Sequence, residues 1–122
     1  MLEIIYDHKI PKTRLSNAKR FKRILELAPS NWQASGALGI IYFNTDNPSS
    51  FKYLKHFYTE LKQEYSNTAE AGVNDLSLSL YMLGYHHNVN GDIEEATKLK
   101  VIAMKSQAFK SDYASFIRQF NY

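Results

Sequence analysis

Apolar residues recur at steps of three and four along most of the chain, and this spacing restricts the available folds more than any other feature. Leu15, Ala18, Phe21, Ile24, Leu25 and Ala28 trace one stripe with basic residues mostly on the other side, and Pro29 ends it. Ser30 and Asn31 offer capping oxygens to a second helix from Trp32 to about Phe43. After the turn at 44–47, Pro48 suits the first position of a third helix, whose stripe is Phe51, Leu54, Phe57, Tyr58, Leu61 and Tyr65.

Residues 66–74 read as a connection with Gly72 as the break. Leu76 to Leu80 alternates as a strand would, but its continuation through Tyr85 does not, and no second strand is present to pair with it. A central helix from Asp75 to about His87 is therefore expected. Asn90-Gly91 stops it, and Asp92 with Glu95 makes a capping-box-like start for a fifth helix with Ile93, Ala96, Leu99, Ala103 and Met104 on its face. Phe109, Tyr113, Phe116, Ile117 and Phe120 give a sixth. The expectation is an all-α protein of five to six helices in antiparallel pairs, forming one domain over residues 1–122. Residues 1–11 would be an N-terminal arm, 12–107 the helix pairs and 108–122 a C-terminal capping helix.

Residues 32–61 align with 77–106 at an offset of 45. Leu38-Gly39 falls on Leu83-Gly84, Phe51 on Ala96, Leu54 on Leu99 and Tyr58 on Ala103. A glycine inside a helix costs roughly 1 kcal/mol against alanine, so its recurrence calls for close approach of the second helix of each pair. In these residues the chain resembles the tetratricopeptide repeat and its Sel1-like relative: Leu83-Gly84, Gly91, Ala96 and Ala103 follow the pattern, with His87 in place of a tyrosine. The earlier unit keeps Leu38-Gly39 and Tyr42 but has Asp46 at the turn and Phe51 and Tyr58 at the alanine positions. Ala69-Glu70-Ala71-Gly72 is similar to the junction between Sel1-like repeats. The resemblance implies helix pairs stacked as a short α-solenoid. An irregular helical bundle that carries the Leu-Gly spacing by coincidence is the alternative architecture.

The same resemblance implies a non-catalytic module that binds a partner protein on the concave surface lined by the first helix of each pair. Carried over residue by residue, that surface is Gln33, Gly36, Ile40, Phe43 and Asn44, then Leu78, Tyr81, Tyr85, Asn88 and Val89. The competing expectation is that the aromatic C-terminal helix folds over this surface as a cap.

Little in the sequence points to catalysis. There is no cysteine, hence no disulfide or thiolate site. His86 and His87 are adjacent and diverge by about 100° on a helix, while His8 and His56 stand apart, so no metal site is expected. Glu94 and Glu95 suit a helix start, and Glu60 and Glu64 a solvated face. No phosphate loop or nucleophile elbow occurs, and no cofactor or enzymatic activity is expected.

Charge is uneven. Residues 1–28 carry seven Lys or Arg against three acids, while the overall net charge is +3. Arg14, Lys19, Arg20, Lys22 and Arg23 could meet an acidic protein surface or phosphates, which makes nucleic-acid binding the alternative function. No apolar run is long enough to span a membrane, and the start of the chain, with Glu3 and Asp7, lacks the pattern of a signal peptide. The expected protein is a cytoplasmic adaptor or inhibitor, monomeric or homodimeric; a bacterial toxin-immunity protein fits by size and fold analogy.

Overall fold

The computed structural model describes residues 12–73 and 75–122, with side chains from Ser16 onward. The expected arm at 1–11 lies outside the described residues. All regular structure among the described residues is helical: α1 (Lys12–Leu27), α2 (Trp32–Asn44), α3 (Ser50–Glu64), a 3-10 turn (Thr68–Ala71), α4 (Leu76–Val89), α5 (Ile93–Ala103), α6 (Gln107–Asp112) and α7 (Ala114–Gln119). The chain divides into two compact units, one ending at Asn74 and the other spanning Asp75–Tyr122. None of the described helices is long and apolar enough to cross a membrane.

Local chemistry accounts for most boundaries. The Asn31 side chain caps α2 by accepting from the Ala34 N–H at 3.0 Å. At the other end, the Thr45 hydroxyl donates to the Ile41 carbonyl at 3.1 Å, and Asp46 turns the chain with φ of 57°. Helix α3 starts later than Pro48 suggests. Asn47 accepts the Ser49 N–H on its side chain at 2.9 Å and the Ser50 N–H on its carbonyl at 3.0 Å, so Pro48 sits in the capping turn. Gly72 is left-handed at φ 63°, as a break in the connection requires. Asp92 caps α5 through the Glu95 N–H at 3.3 Å.

The expected sixth helix is two short ones. The Ser106 side chain caps α6 at the Phe109 N–H, and the helical run is interrupted at Tyr113. The Tyr113 hydroxyl is 3.3 Å from Asp75 Oδ1, donating to the residue that precedes α4. The described chain therefore has seven α-helices, one more than the upper expectation.

In the first unit, α1 meets α2 through Ala18, Leu38 and Ile41, with Phe21, Leu25, Tyr42 and Tyr53 packed around them. Full burial of a side chain such as Leu38 contributes about 1.5–3 kcal/mol, so a few such residues hold the three helices together. Helix α2 runs antiparallel to α3. Trp32 at its start donates to Glu64 at the end of α3 at 2.6 Å, and the Ser50 hydroxyl at the start of α3 donates to the Gly39 carbonyl at 2.8 Å. A β-carbon on Gly39 would stand 2.6 Å from Leu54 Cγ, and one on Gly36 would stand 2.7 Å from the Phe57 ring. The close approach expected from the repeated glycine is present, with Leu54 rather than Phe51 or Tyr58 as the neighbour.

In the second unit, α4 and α5 form a hairpin around Leu78, Leu80, Tyr81, Met82, Leu83, Ala96, Leu99 and Ala103, all buried. Gly84 lies where a β-carbon would come within 3.2 Å of the Ala96 carbonyl and would also strike the Tyr122 hydroxyl. The chain then returns across α4. Tyr81 packs against Phe109 at 5.6 Å and Phe116 at 6.0 Å between ring centroids, and Tyr85 meets Phe120 edge-on at 5.3 Å.

Candidate functional site

The first unit carries an open groove of about 240 Å³, lined by Leu25, Pro29, Ser35, Lys52, Tyr53 and His56. Three local features build it. Pro29 follows the end of α1 one turn beyond Leu25, and both line the groove. Ser35 lies in the first half of α2, fully buried. Lys52, Tyr53 and His56 sit within four residues of one another on α3, so helical geometry puts them on neighbouring positions of one face.

Ser35 and His56 form the polar part. Ser35 Oγ is 2.6 Å from His56 Nδ1, a short hydrogen bond across the α2–α3 pair. When the hydroxyl donates, Nδ1 is the acceptor and the ring proton resides on Nε2. Nε2 has no hydrogen-bond partner among the described residues, so the half-buried ring keeps one unused polar edge.

Lys52 lines this groove from α3. The Lys52 ammonium stands 4.8 Å from the centroid of the Tyr53 ring, which itself leans on Tyr42 at 5.6 Å. Lys55 and Lys62 likewise stand over Phe51 and Tyr58, at 5.7 and 4.4 Å. Among the described residues none of these three lysines pairs with a carboxylate. On α1, Lys19, Arg20, Lys22 and Arg23 are exposed, and among the described residues only Arg23 of these is paired, with Glu26 at 3.2 Å. Lys22 is one turn before the groove-lining Leu25 and shares its side of α1. The Arg14 side chain lies outside the described residues.

The residues expected on the concave surface differ widely in exposure. Of these Gln33 is exposed, while Phe43, Asn44, Tyr85 and Asn88 are half-buried and Val89 is exposed at the end of α4. Ile40 is buried, Gly36 faces Phe57, and Leu78 and Tyr81 are fully buried, so none of the four offers a partner a side chain. In the second unit the reason is the C-terminal aromatic segment, which covers α4. The Tyr81 hydroxyl donates to the Phe120 and Ile117 carbonyls at 2.9 and 3.3 Å, and the Tyr122 hydroxyl donates back to the Tyr81 carbonyl at 2.8 Å. Lys100 adds a hydrogen bond to the Tyr122 carbonyl oxygen. Burial pushes the Tyr81 phenol up to about 12, and burial followed by the proximity of Tyr81 pushes Tyr122 up as well. These tyrosines serve as core with satisfied polar ends. In the first unit, the Asn44 side-chain nitrogen and oxygen are both buried without a hydrogen-bond partner among the described residues.

Other titratable groups are dispersed. His87 Nδ1 is 3.5 Å from Asp92 Oδ2, and the neighbouring His86 is pushed below its usual range by burial and then by His87. Glu64, expected on a solvated face, is exposed and also accepts the Trp32 indole N–H. Among the described residues, no three His, Cys, Asp or Glu side chains converge as a metal site.

The groove residues escape sequence reading because Ser35 and His56 are 21 positions apart and neither belongs to a motif. The glycine register held the one available signal. Once Gly39 is set against Leu54 in an antiparallel pair, Ser35 falls about one turn away, near His56 and Phe57. Comparison with family models, curated proteins and solved structures finds no match for this chain.

Proposed function

We propose that this protein is a non-catalytic protein-interaction module that meets its partner through the basic side of its first unit. The observation that carries this reading is the set of exposed cations on α1 and α3: Lys52 in the groove, Lys22 three residues before the groove-lining Leu25, and Lys19, Arg20 and Lys55 nearby in sequence, none paired with a carboxylate among the described residues. Unneutralised charge of one sign steers an oppositely charged surface and speeds its docking. On this reading the helix hairpins are short tetratricopeptide- or Sel1-like units stacked as a solenoid, and the protein works in the cytoplasm as an adaptor or as an immunity-type inhibitor.

Capture from an extract of the native host tests this. The wild type and a variant with Lys19, Arg20, Lys22 and Arg23 all changed to Glu are cross-linked in parallel. A specific protein retained by the wild type and lost from the folded variant is expected; identical captures from both would overturn the reading.

The same exposed bases favour one second reading, nucleic-acid binding through α1. It requires an affinity for oligonucleotides that falls steeply with salt, by close to one logarithmic unit in slope per phosphate contact. A gel-shift series between low and moderate salt separates the two.

A further inference from the structure

The groove is small. Ligand pockets for whole small molecules span roughly 300–1,000 Å³, and this one, at about 240 Å³, is smaller and open on one side. That size suits a single side chain presented by a longer molecule lying across the surface. Leu25, Pro29 and the Tyr53 ring provide apolar walls, so the side chain that fills it is apolar.

The border states what must flank that side chain. Lys52 lines the groove itself, Lys22 lies three residues before the groove-lining Leu25 on α1, and Lys55 stands one turn after Lys52 on α3. These ammonium groups rest in solvent or over aromatic rings with no carboxylate neighbour among the described residues. A basic segment would be repelled, and a neutral one would leave the cations without a counter-charge. The buried Ser35 hydroxyl fixes the His56 ring through Nδ1 and leaves Nε2 for a further hydrogen bond. When Nε2 bears the proton, it matches a carbonyl or a carboxylate oxygen.

We propose that the groove bounded by Leu25, Pro29, Tyr53 and the Ser35–His56 pair receives one apolar side chain of an acidic peptide segment of the partner, with Lys22 and Lys52 meeting carboxylates on either side of it. This rests on the protein-interaction reading and gives it a partner chemistry.

The test uses the full chain and fluorescein-labelled peptides in which a single Leu or Phe is flanked by three Asp or Glu on each side. Controls are the same peptide with Ser at the central position and a single-stranded oligonucleotide of equal charge. Binding is read by anisotropy at low salt and located by amide chemical-shift changes. The expected result is saturable binding of the Leu or Phe peptide, at least tenfold tighter than the Ser peptide, with shifts concentrated at residues 25–29, 35 and 52–56. Lys52→Glu, at an exposed position, should weaken it at least tenfold, whereas Lys62→Glu, two to three turns further along α3, should change it less than twofold. Equal binding of the Leu and Ser peptides, or indifference to Lys52→Glu, overturns the groove while leaving the broader interaction reading to its own cross-linking test. Binding of the oligonucleotide alone, or of no peptide, overturns it too.

Discussion

Gly39 lies so close to Leu54 that a β-carbon on it would be 2.6 Å from Leu54 Cγ and 3.1 Å from the Leu54 backbone nitrogen. The side chain could shift, but the backbone nitrogen cannot without moving α3. Gly39→Ala should therefore destabilise the first unit by about 1–3 kcal/mol through overpacking, despite the roughly 1 kcal/mol that alanine contributes to helix propensity. Urea denaturation followed by far-ultraviolet circular dichroism measures this. In the Gly39→Ala, Leu54→Ala double variant the two losses should be less than additive, because the smaller residue removes the Cγ clash and leaves only the backbone one.

Trp32 donates its indole N–H to Glu64 at 2.6 Å from a position that is 8 % exposed. Glu64→Ala leaves that donor unsatisfied and should cost about 1–3 kcal/mol, while Glu64→Gln retains an acceptor and should cost less. Fluorescence of the single tryptophan reports the unfolding midpoint directly.

Asn44 presents the opposite case, with both side-chain polar atoms buried and unpartnered among the described residues. Removing an unsatisfied polar group is neutral or favourable, and alanine is the better helix former. Asn44→Ala should leave the thermal midpoint unchanged or raise it. A drop of several degrees would show that the amide has a role the structure does not record.

Stability should fall in alkaline solution because of Tyr81. Its folded pKa is raised from 10.0 to about 12 by burial, so the contribution is complete below pH 10 and is lost as pH rises toward 12. Tyr81→Phe should flatten that part of the stability-against-pH curve, at the cost of the hydrogen bonds to Phe120 and Ile117. Denaturation midpoints between pH 9 and 11.5 provide the measurement.

His86 acts at the acid end. Its folded pKa lies below the ordinary value of 6.5 through burial and the adjacent His87, so the unfolded chain binds the proton more readily. The associated stability is present above that ordinary value and declines as pH falls through the folded one. His86→Gln should lessen the loss between pH 7 and 5, as followed by thermal melts.

The helices were legible because their signals are local. Asn31, Asp92, Pro29 and Gly72 each act within a few residues, and the periodic stripes need no knowledge of neighbours. The interruption at Tyr113 was not legible, since the bond from its hydroxyl to Asp75 joins residues 38 positions apart. The same holds for the candidate site. The basic residues of α1 stand out in composition, but the groove depends on the register of α2 against α3, which brings Ser35 to His56. In the second unit the sequence left the concave surface and the aromatic cap as competing expectations for a related reason: Tyr81 has the composition of a binding surface, and only its bonds to Phe120 and Ile117 identify it as core.

Those bonds also carry a message about time. The α4–α5 hairpin closes through residues near in sequence, whereas the polar ends of Tyr81 and Tyr122 are satisfied across separations of 36, 39 and 41 residues. Loop closure over such distances is slower than hairpin formation, so docking of the final aromatic segment is the expected late step in completing the second unit. Until it occurs, the face of α4 around Tyr81 and Tyr85 is an uncovered aromatic surface, and the chain is most exposed to self-association during that interval.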